Sequence, residues 1–273
     1  MAVARAVAVL FFAVVVPAVA QTYLGLDRND YPGDSAMQSL RKKFSFTGYW
    51  LNNPPGASRN TWADHRAQID GMGYGFLLLF NGREYAQLKA LGNPAAVGAR
   101  DAATAVSAAK SEGFPLKSVI FLDQEQGGRM LPEQRAYIHA FIDGVTLSGY
   151  GAGIYCSGIP FRESTKTSVV TAQDIRDNAA KRDIKFFISN DQCGPSPGCV
   201  FPSAPPAPAT SGVAFADVWQ YAQSPRRQDL TVSCRKTYAA DGNCYPPGVT
   251  PSSGLHIDVN SATSPDPSHA RSH

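Results

Sequence analysis

Eight short, continuously apolar runs recur along the chain, and this repetition constrains the fold more than any other feature. They fall at 23–27, 46–50, 75–80, 118–123, 152–156, 185–189, 214–221 and 255–259. Helical patterns lie between them at 35–43, 61–72, 95–112, 132–148 and 171–182; Pro132 opens the fourth of these and Gly149 closes it. A short strand that is apolar throughout, rather than at alternate residues, must be covered on both faces, which is the situation of parallel strands alternating with helices. Eight such strands predict an α/β fold, a closed (β/α)8 TIM-like barrel forming one domain over residues 21–260. An open doubly wound sheet is the alternative, weakened because neither G-x-G-x-x-G nor G-x-x-x-x-G-K-[ST] follows any of the runs. Helical alternation fades after the sixth run, where 191–212 is rich in proline and 224–254 is irregular. The polar stretch 261–273, with Pro265 and Pro267, is expected to be a disordered tail.

The fourth run drives straight into acid, as Ile120-Phe121-Leu122-Asp123-Gln124-Glu125-Gln126. Side chains at i and i+2 of a strand leave the same face, so Asp123 and Glu125 stand side by side, roughly 6–7 Å apart along the backbone. Two acids there suit a solvated strand end as well as a general-acid pair. Barrel enzymes carry their chemistry at the C-terminal ends of the strands, so the other ends bear on the choice. Asp27, followed by Arg28, ends the first run, Tyr155 stands at the end of the fifth, Trp219-Gln220-Tyr221 lies on the seventh, and Asp258 and Asn260 close the eighth. Strands one and eight are neighbours in a closed barrel, and the acids at strands one, four and eight therefore converge on one mouth.

Residues 1–20 carry one positive charge, Arg5, then an unbroken apolar or small segment ending Ala18-Val19-Ala20. That is the form of a secretory signal with an A-x-A cleavage site, and fifteen apolar residues are too few for a comfortable membrane span. The expectation is a secreted or periplasmic protein starting near Gln21, with no stable membrane anchor after cleavage. Without Arg5, the 25 Lys and Arg fall to 24 against 22 Asp and Glu, and a near-neutral chain with no polybasic tract offers nothing to nucleic acid.

The five cysteines agree with export. Cys193 and Cys199 lie six apart and Cys234 and Cys244 ten apart, both in Gly/Pro/Ser-rich segments, whereas Cys156 ends a strand. In an oxidising compartment the economical pairing is Cys193 with Cys199 and Cys234 with Cys244, leaving Cys156 a buried thiol. Neither pair has C-x-x-C spacing and no histidine cluster lies nearby, so no metal or other cofactor is expected.

Gly25-Leu26-Asp27, Phe121-Leu122-Asp123-Gln124-Glu125, Gly153-Ile154-Tyr155, Trp219-Gln220-Tyr221 and Ile257-Asp258-Val259-Asn260 occur in the order seen in Chalaropsis-type lysozymes. With Leu26-Asp27-Arg28-Asn29-Asp30-Tyr31-Pro32, the layout resembles still more closely the bacterial glycoside-hydrolase-like TIM-barrel domain related to them. The resemblance runs from about Tyr23 to Asn260. It implies a secreted barrel that hydrolyses glycosidic bonds in peptidoglycan or a related cell-envelope polysaccharide. By position, Glu125 matches the general acid, Asp123 its companion carboxylate, and Asp27 and Asp258 the acids of the first and last strands. Glycosidic cleavage needs one protonated carboxyl for the leaving oxygen and one anionic group to stabilise positive charge, activate a nucleophile or steer an acetamido group.

Sugar rings present apolar C–H faces that pack on aromatic side chains, which makes Trp219, Tyr221, Tyr155, Tyr49 and Trp50 candidate walls, with barrel core as the competing reading for each. Gln220 shares the Trp-Gln-Tyr element. Arg28 and Arg129 flank the acids, where a guanidinium either lowers carboxylate pKa values or holds an anionic substituent. A barrel that binds glycan without cleaving it is the alternative function, and a substrate-free interaction barrel a third.

Overall fold

A computed structural model describes residues 21–191, 204–222 and 255–271. Its strands are β1 (Tyr23–Asp27), β2 (Phe46–Trp50), β3 (Gly75–Asn81), β4 (Val119–Asp123), β5 (Gly151–Ser157), β6 (Pro160–Arg162), β7 (Ser168–Val170), β8 (Lys185–Ser189), β9 (Val218–Ala222) and β10 (Asp258–Ala262). Six α-helices accompany them: α1 (Asp34–Arg41), α2 (Arg66–Gly71), α3 (Tyr85–Leu91), α4 (Pro94–Ser111), α5 (Pro132–Leu147) and α6 (Thr171–Asp177). Eight strands close a barrel in the order β1-β10-β9-β8-β5-β4-β3-β2, while β6 and β7 form a separate antiparallel hairpin. The closed TIM-like barrel is therefore the fold, and the open sheet is excluded. The hairpin and α3 are additions to the expected elements, and the second expected helix contracts to Arg66–Gly71.

Every residue of β2, β4 and β9 is buried, as continuous apolar runs require when one face looks into the barrel and the other onto helices. The barrel floor is built from large rings set against glycines. A Cβ on Gly25 would stand 2.1 Å from the Phe46 ring, and one on Gly153 2.4 Å from the Phe121 ring. Burying an aromatic or aliphatic side chain of this size contributes about 1.5–3 kcal/mol, so the floor is also a large part of the stability. Outside, α4 and α5 pack closely because α4 presents Gly98, Ala102, Ala105 and Ala109; a Cβ at Gly98 would meet the Tyr137 carbonyl at 2.2 Å.

The last strand departs from the sequence reading. β10 is antiparallel to both β1 and β9, and it spans 258–262 rather than 255–259. The chain leaves β9 at the barrel mouth and enters β10 at the same end. Parallel pairing needs a crossover to the opposite end, and none is made here. Asp258 consequently begins its strand at the mouth, opposite Asp27, instead of ending it there.

Residues 261–271 are likewise not a disordered tail. Ser261 and Ala262 complete β10, and the segment beyond is pinned beneath the barrel between the N-terminal ends of β3 and β4. Ser268 donates its backbone N–H to the Phe76 carbonyl (2.9 Å) and accepts from the Val119 N–H (2.8 Å), while its hydroxyl oxygen accepts from Leu78 N–H (2.9 Å). Asp266 accepts the Phe76 N–H at 2.8 Å. The stretch is polar because its task is to satisfy strand-edge backbone groups, so composition alone misreads it.

Cys156 is a buried free thiol on β5, and burial pushes its pKa well up. Segment 1–20 and the pairs Cys193/Cys199 and Cys234/Cys244 lie outside the described residues. Among the described residues no helix is long and apolar enough to cross a membrane.

Candidate active site at the barrel mouth

The strand ends contribute one side chain each to a single hollow of about 210 Å³: Asp27 (β1), Trp50 (β2), Leu79 (β3), Asp123 (β4), Tyr155 (β5), Phe187 (β8), Gln220 (β9) and Asp258 (β10). Register explains the set. Asp123 pairs with Asn81 and Tyr155, Tyr155 with Phe187, and Asp27 with Asp258, so these positions share one level and point inward. Glu125, two residues beyond β4, stands over this ring in the open mouth. It also lines two further hollows, about 400 Å³ toward β5 and β8 and about 280 Å³ toward the loops after β2 and β3.

Asp27 and Asp123 are the buried acids, 7% and 5% exposed, whereas Glu125 is exposed. Burial raises Asp27 from 3.8 to about 6, against the opposing effect of a 2.7 Å hydrogen bond donated by Asn260 Nδ2. Asp123 is pushed well above the usual carboxylate range, chiefly by burial and then by the charges of Glu125 and Asp27. Its Oδ1 is buried with no hydrogen-bond partner. Around Glu125 the cleft walls remove part of the hydration and Glu84 adds like charge, and both effects move that carboxyl upward. Burial and access are thus divided between the two acids of the D-x-E motif: Asp123 is buried with its pKa raised, and Glu125 is the one open to the cleft.

Tyr155 donates its hydroxyl to Gln220 Oε1, which fixes both side chains in the ring. Trp50 is nearly buried, with its edge on the hollow and its indole N–H on the Arg28 carbonyl at 3.1 Å. Trp219 and Tyr221 do not join the site. Strand alternation turns them away from the face that carries Gln220; Trp219 is 1% exposed and donates its indole N–H to the Asn190 carbonyl at 2.8 Å. Tyr49 is also core, edge-on to Trp62, Phe76 and Phe114.

Arg28 lies at the rim in an adjoining hollow with Asp30, His256 and Asp258. Burial lowers its pKa against the opposing charge of Asp30. Arg129 turns away from the acids, forking onto Glu163 at 3.0 and 3.1 Å and reaching Asp174 at 3.4 Å.

Several site residues were not singled out from sequence. Asn52, Asn81, Arg83, Glu84 and Gln87 are among them, whereas Asn260, placed at a strand end by the Asp-x-Asn spacing, takes a role the sequence did not give it, as the hydrogen-bond donor to Asp27. Asn52 and Asn81 lock each other, Asn81 N–H to Asn52 Oδ1 at 2.7 Å and Asn52 Nδ2 to the Asn81 carbonyl at 3.0 Å. With Arg83, Glu84 and Gln87 they wall the hollow on the β2–β3 side. Arg83 is itself held by a bidentate pair with buried Asp101 at 2.8 and 3.0 Å.

Comparison with known proteins agrees with the barrel fold. An uncharacterized B. stearothermophilus protein superposes with a TM-score of 0.54 at 21% identity, over 88% of this chain and 95% of that one. The Mycobacterium tuberculosis Tat-secreted protein Rv2525c, solved with L-tartrate, gives 0.53 at 14% identity over 92% of this chain and all of its own. The modular autolysin LytC from Streptococcus pneumoniae, solved with a synthetic peptidoglycan ligand, gives 0.51 at 12% identity over 88% of this chain and 46% of LytC. No curated protein matches the sequence. Residues 44–187, a little over half of the chain, match the model of one family. The chain belongs to that family, the Rv2525c-like, glycoside hydrolase-like domain.

Proposed function

We propose that this chain is an exported glycosidase of muramidase type that hydrolyses glycosidic bonds in peptidoglycan or a related cell-envelope polysaccharide, with Glu125 as its general acid. The observation that carries the reading is the place of Glu125 at the junction of three hollows, above a floor of buried, proton-retaining carboxyls. A general acid must reach the leaving oxygen, and Glu125 is the acid of the cluster that substrate can reach from either side. Its raised pKa keeps a protonated fraction at higher pH than a free glutamate would.

In the reaction, Glu125 gives its proton to the glycosidic oxygen as the bond from that oxygen to the anomeric carbon breaks. Positive charge grows on the sugar; Asp27, raised only to about 6 and so ionised near neutrality, supplies the negative field with Asp258 across the ring, while Asp123 below, which keeps its proton, steers an acetamido group by hydrogen bonding. Water adds to the anomeric carbon and leaves its proton on a carboxylate of the cluster. Tyr155, Gln220 and Trp50 position the ring being cleaved, and Arg28 is placed at the rim for an anionic substituent. LytC, bound to peptidoglycan and alike in fold, supports the choice of polymer, and Tat-secreted Rv2525c supports export.

The test is turbidity loss and reducing-sugar release on purified cell walls, with chitin and α-glucans alongside, comparing wild type with Glu125→Gln. The amide keeps shape and hydrogen bonding but delivers no proton, so turnover should fall about 10²- to 10⁴-fold with binding retained. Equal rates for the two proteins overturn the acid assignment. Binding by both without cleavage by either makes the chain a glycan-binding barrel instead.

A further inference from the structure

Strand β6 of the hairpin lies outside the core, with Pro160, Phe161 and Arg162 all exposed, while β7 turns Val169 inward. Among the described residues Phe161 is the one aromatic among the exposed large apolar side chains, 52% open to solvent. Holding such a ring in water is unfavourable, and ordering the segment that carries it costs conformational entropy. The hairpin is nevertheless fastened on two sides. Arg129 forks onto Glu163 in its turn, at 3.0 and 3.1 Å, and the Gly127-Gly128 backbone lies against the ring, where a Cβ on Gly128 would be 3.3 Å away. Gly128 is fixed in turn by two hydrogen bonds with Thr171, at 2.8 and 3.0 Å.

The ring so held walls the hollow of about 400 Å³ that begins at Glu125 and passes Tyr155, Ser157 and Ser189. That volume lies within the range of small-molecule sites, about 300–1,000 Å³. An apolar side of Ile159, Pro160 and the Phe161 ring facing the polar groups of Glu125, Tyr155, Ser157 and Ser189 matches what a pyranose presents, a C–H face and equatorial hydroxyls, whereas an acyl chain would need apolar lining throughout. On the other side of Glu125, toward β2 and β3, the cleft continues as the wall of Asn52, Asn81 and Gln87.

We propose that hairpin β6–β7 is a sugar-binding element, with Phe161 stacking on the pyranose next to the bond presented to Glu125. The glycan then crosses the acid and occupies both arms of the cleft. This rests on the glycosidase reading above and adds to it the side chain that sets affinity for the neighbouring unit.

Calorimetric titration with amidase-released peptidoglycan glycan strands and with the tetramer of N-acetylglucosamine tests it, using the Glu125→Gln protein to prevent turnover. Adding Phe161→Ala should weaken binding about three- to tenfold, the worth of one aromatic contact, while Phe161→Tyr stays within about twofold. Because the ring is exposed, the thermal midpoint should not move, which separates lost stacking from lost fold. Unchanged affinity in Phe161→Ala overturns the hairpin's role and leaves the glycan reading intact. Failure of the parent to bind either probe overturns both.

Discussion

Asn260 donates its amide to the buried carboxyl of Asp27, Nδ2 to Oδ2 at 2.7 Å, from a strand that runs against β1. Strand reversal makes it possible. Asp258 takes the position opposite Asp27, so Asn260 sits one inward-facing step below, where its amide reaches the carboxylate. The hydrogen bond opposes the effect of burial without cancelling it, and Asp27 remains raised to about 6.

A pH signature follows. The folded chain holds the Asp27 proton up to about pH 6, whereas the unfolded chain releases it near its ordinary 3.8. Stability from this group is therefore present below about pH 4 and is lost as pH rises to 6, by at most about 3 kcal/mol. Asp123 and Glu125, also raised, act in the same sense. Asp27→Asn should equal wild type in urea denaturation at pH 4 and become the more stable protein above pH 6. A difference between the two that does not vary with pH contradicts the assignment.

Trp219→Ala should be a stability variant. The side chain is core with its N–H bonded to Asn190, so truncation should cost about 3–5 kcal/mol. Gln220→Ala, one residue along, should cost less, about 1–3 kcal/mol for the Tyr155 hydroxyl it leaves unpaired, and should weaken glycan binding in the protein that remains folded. Calorimetry on folded protein of each variant decides; weaker glycan binding by a stable Trp219 variant would return that residue to the site.

These two neighbours show what the sequence carries and what it hides. The barrel strands were legible because continuous apolar runs have few other uses, and Asp27, Asp123 and Glu125 were legible because acids at such ends need a reason. The opposite faces of Trp219 and Gln220 were available from strand alternation. Strand direction was not: the pattern of β10 reads the same in either sense, and its reversal depends on where the chain re-enters the barrel. Hairpin β6–β7 and the segment after Ala262 were hidden for a different reason, since both work through polar and backbone contacts that hydrophobic periodicity does not register.

Export should leave a covalent record. Cleavage after Ala20 gives a mature chain starting at Gln21, and intact mass of the exported protein reads it directly. Non-reducing peptide mapping should find Cys193 joined to Cys199 and Cys234 to Cys244, each bridge worth at most roughly 3 kcal/mol, with Cys156 free as its burial requires. A mass that retains residues 1–20, or any bridge to Cys156, contradicts this arrangement.

The segment beneath the barrel should be essential to the fold although it is remote from the mouth. Between them, Asp266 and Ser268 satisfy three backbone groups of β3, at Phe76 and Leu78, and the Val119 N–H of β4, where the two strands do not yet pair with each other. An unsatisfied buried backbone group costs about 1–3 kcal/mol, so Ser268→Ala, which strands the Leu78 N–H, should destabilise by about that amount. Gly75→Ala attacks the same contact from the other side, since its Cβ would lie 2.0 Å from the Pro265 carbonyl oxygen and the segment would have to leave its groove. Deleting 263–273 should cost more than either and abolish cooperative unfolding. Hydrogen exchange gives the sharper test: Phe76, Leu78 and Val119 amides should lose protection in Ser268→Ala and Gly75→Ala, while the β5 and β8 amides keep theirs. Wild-type protection at those three positions in the deletion protein would show that the segment is dispensable.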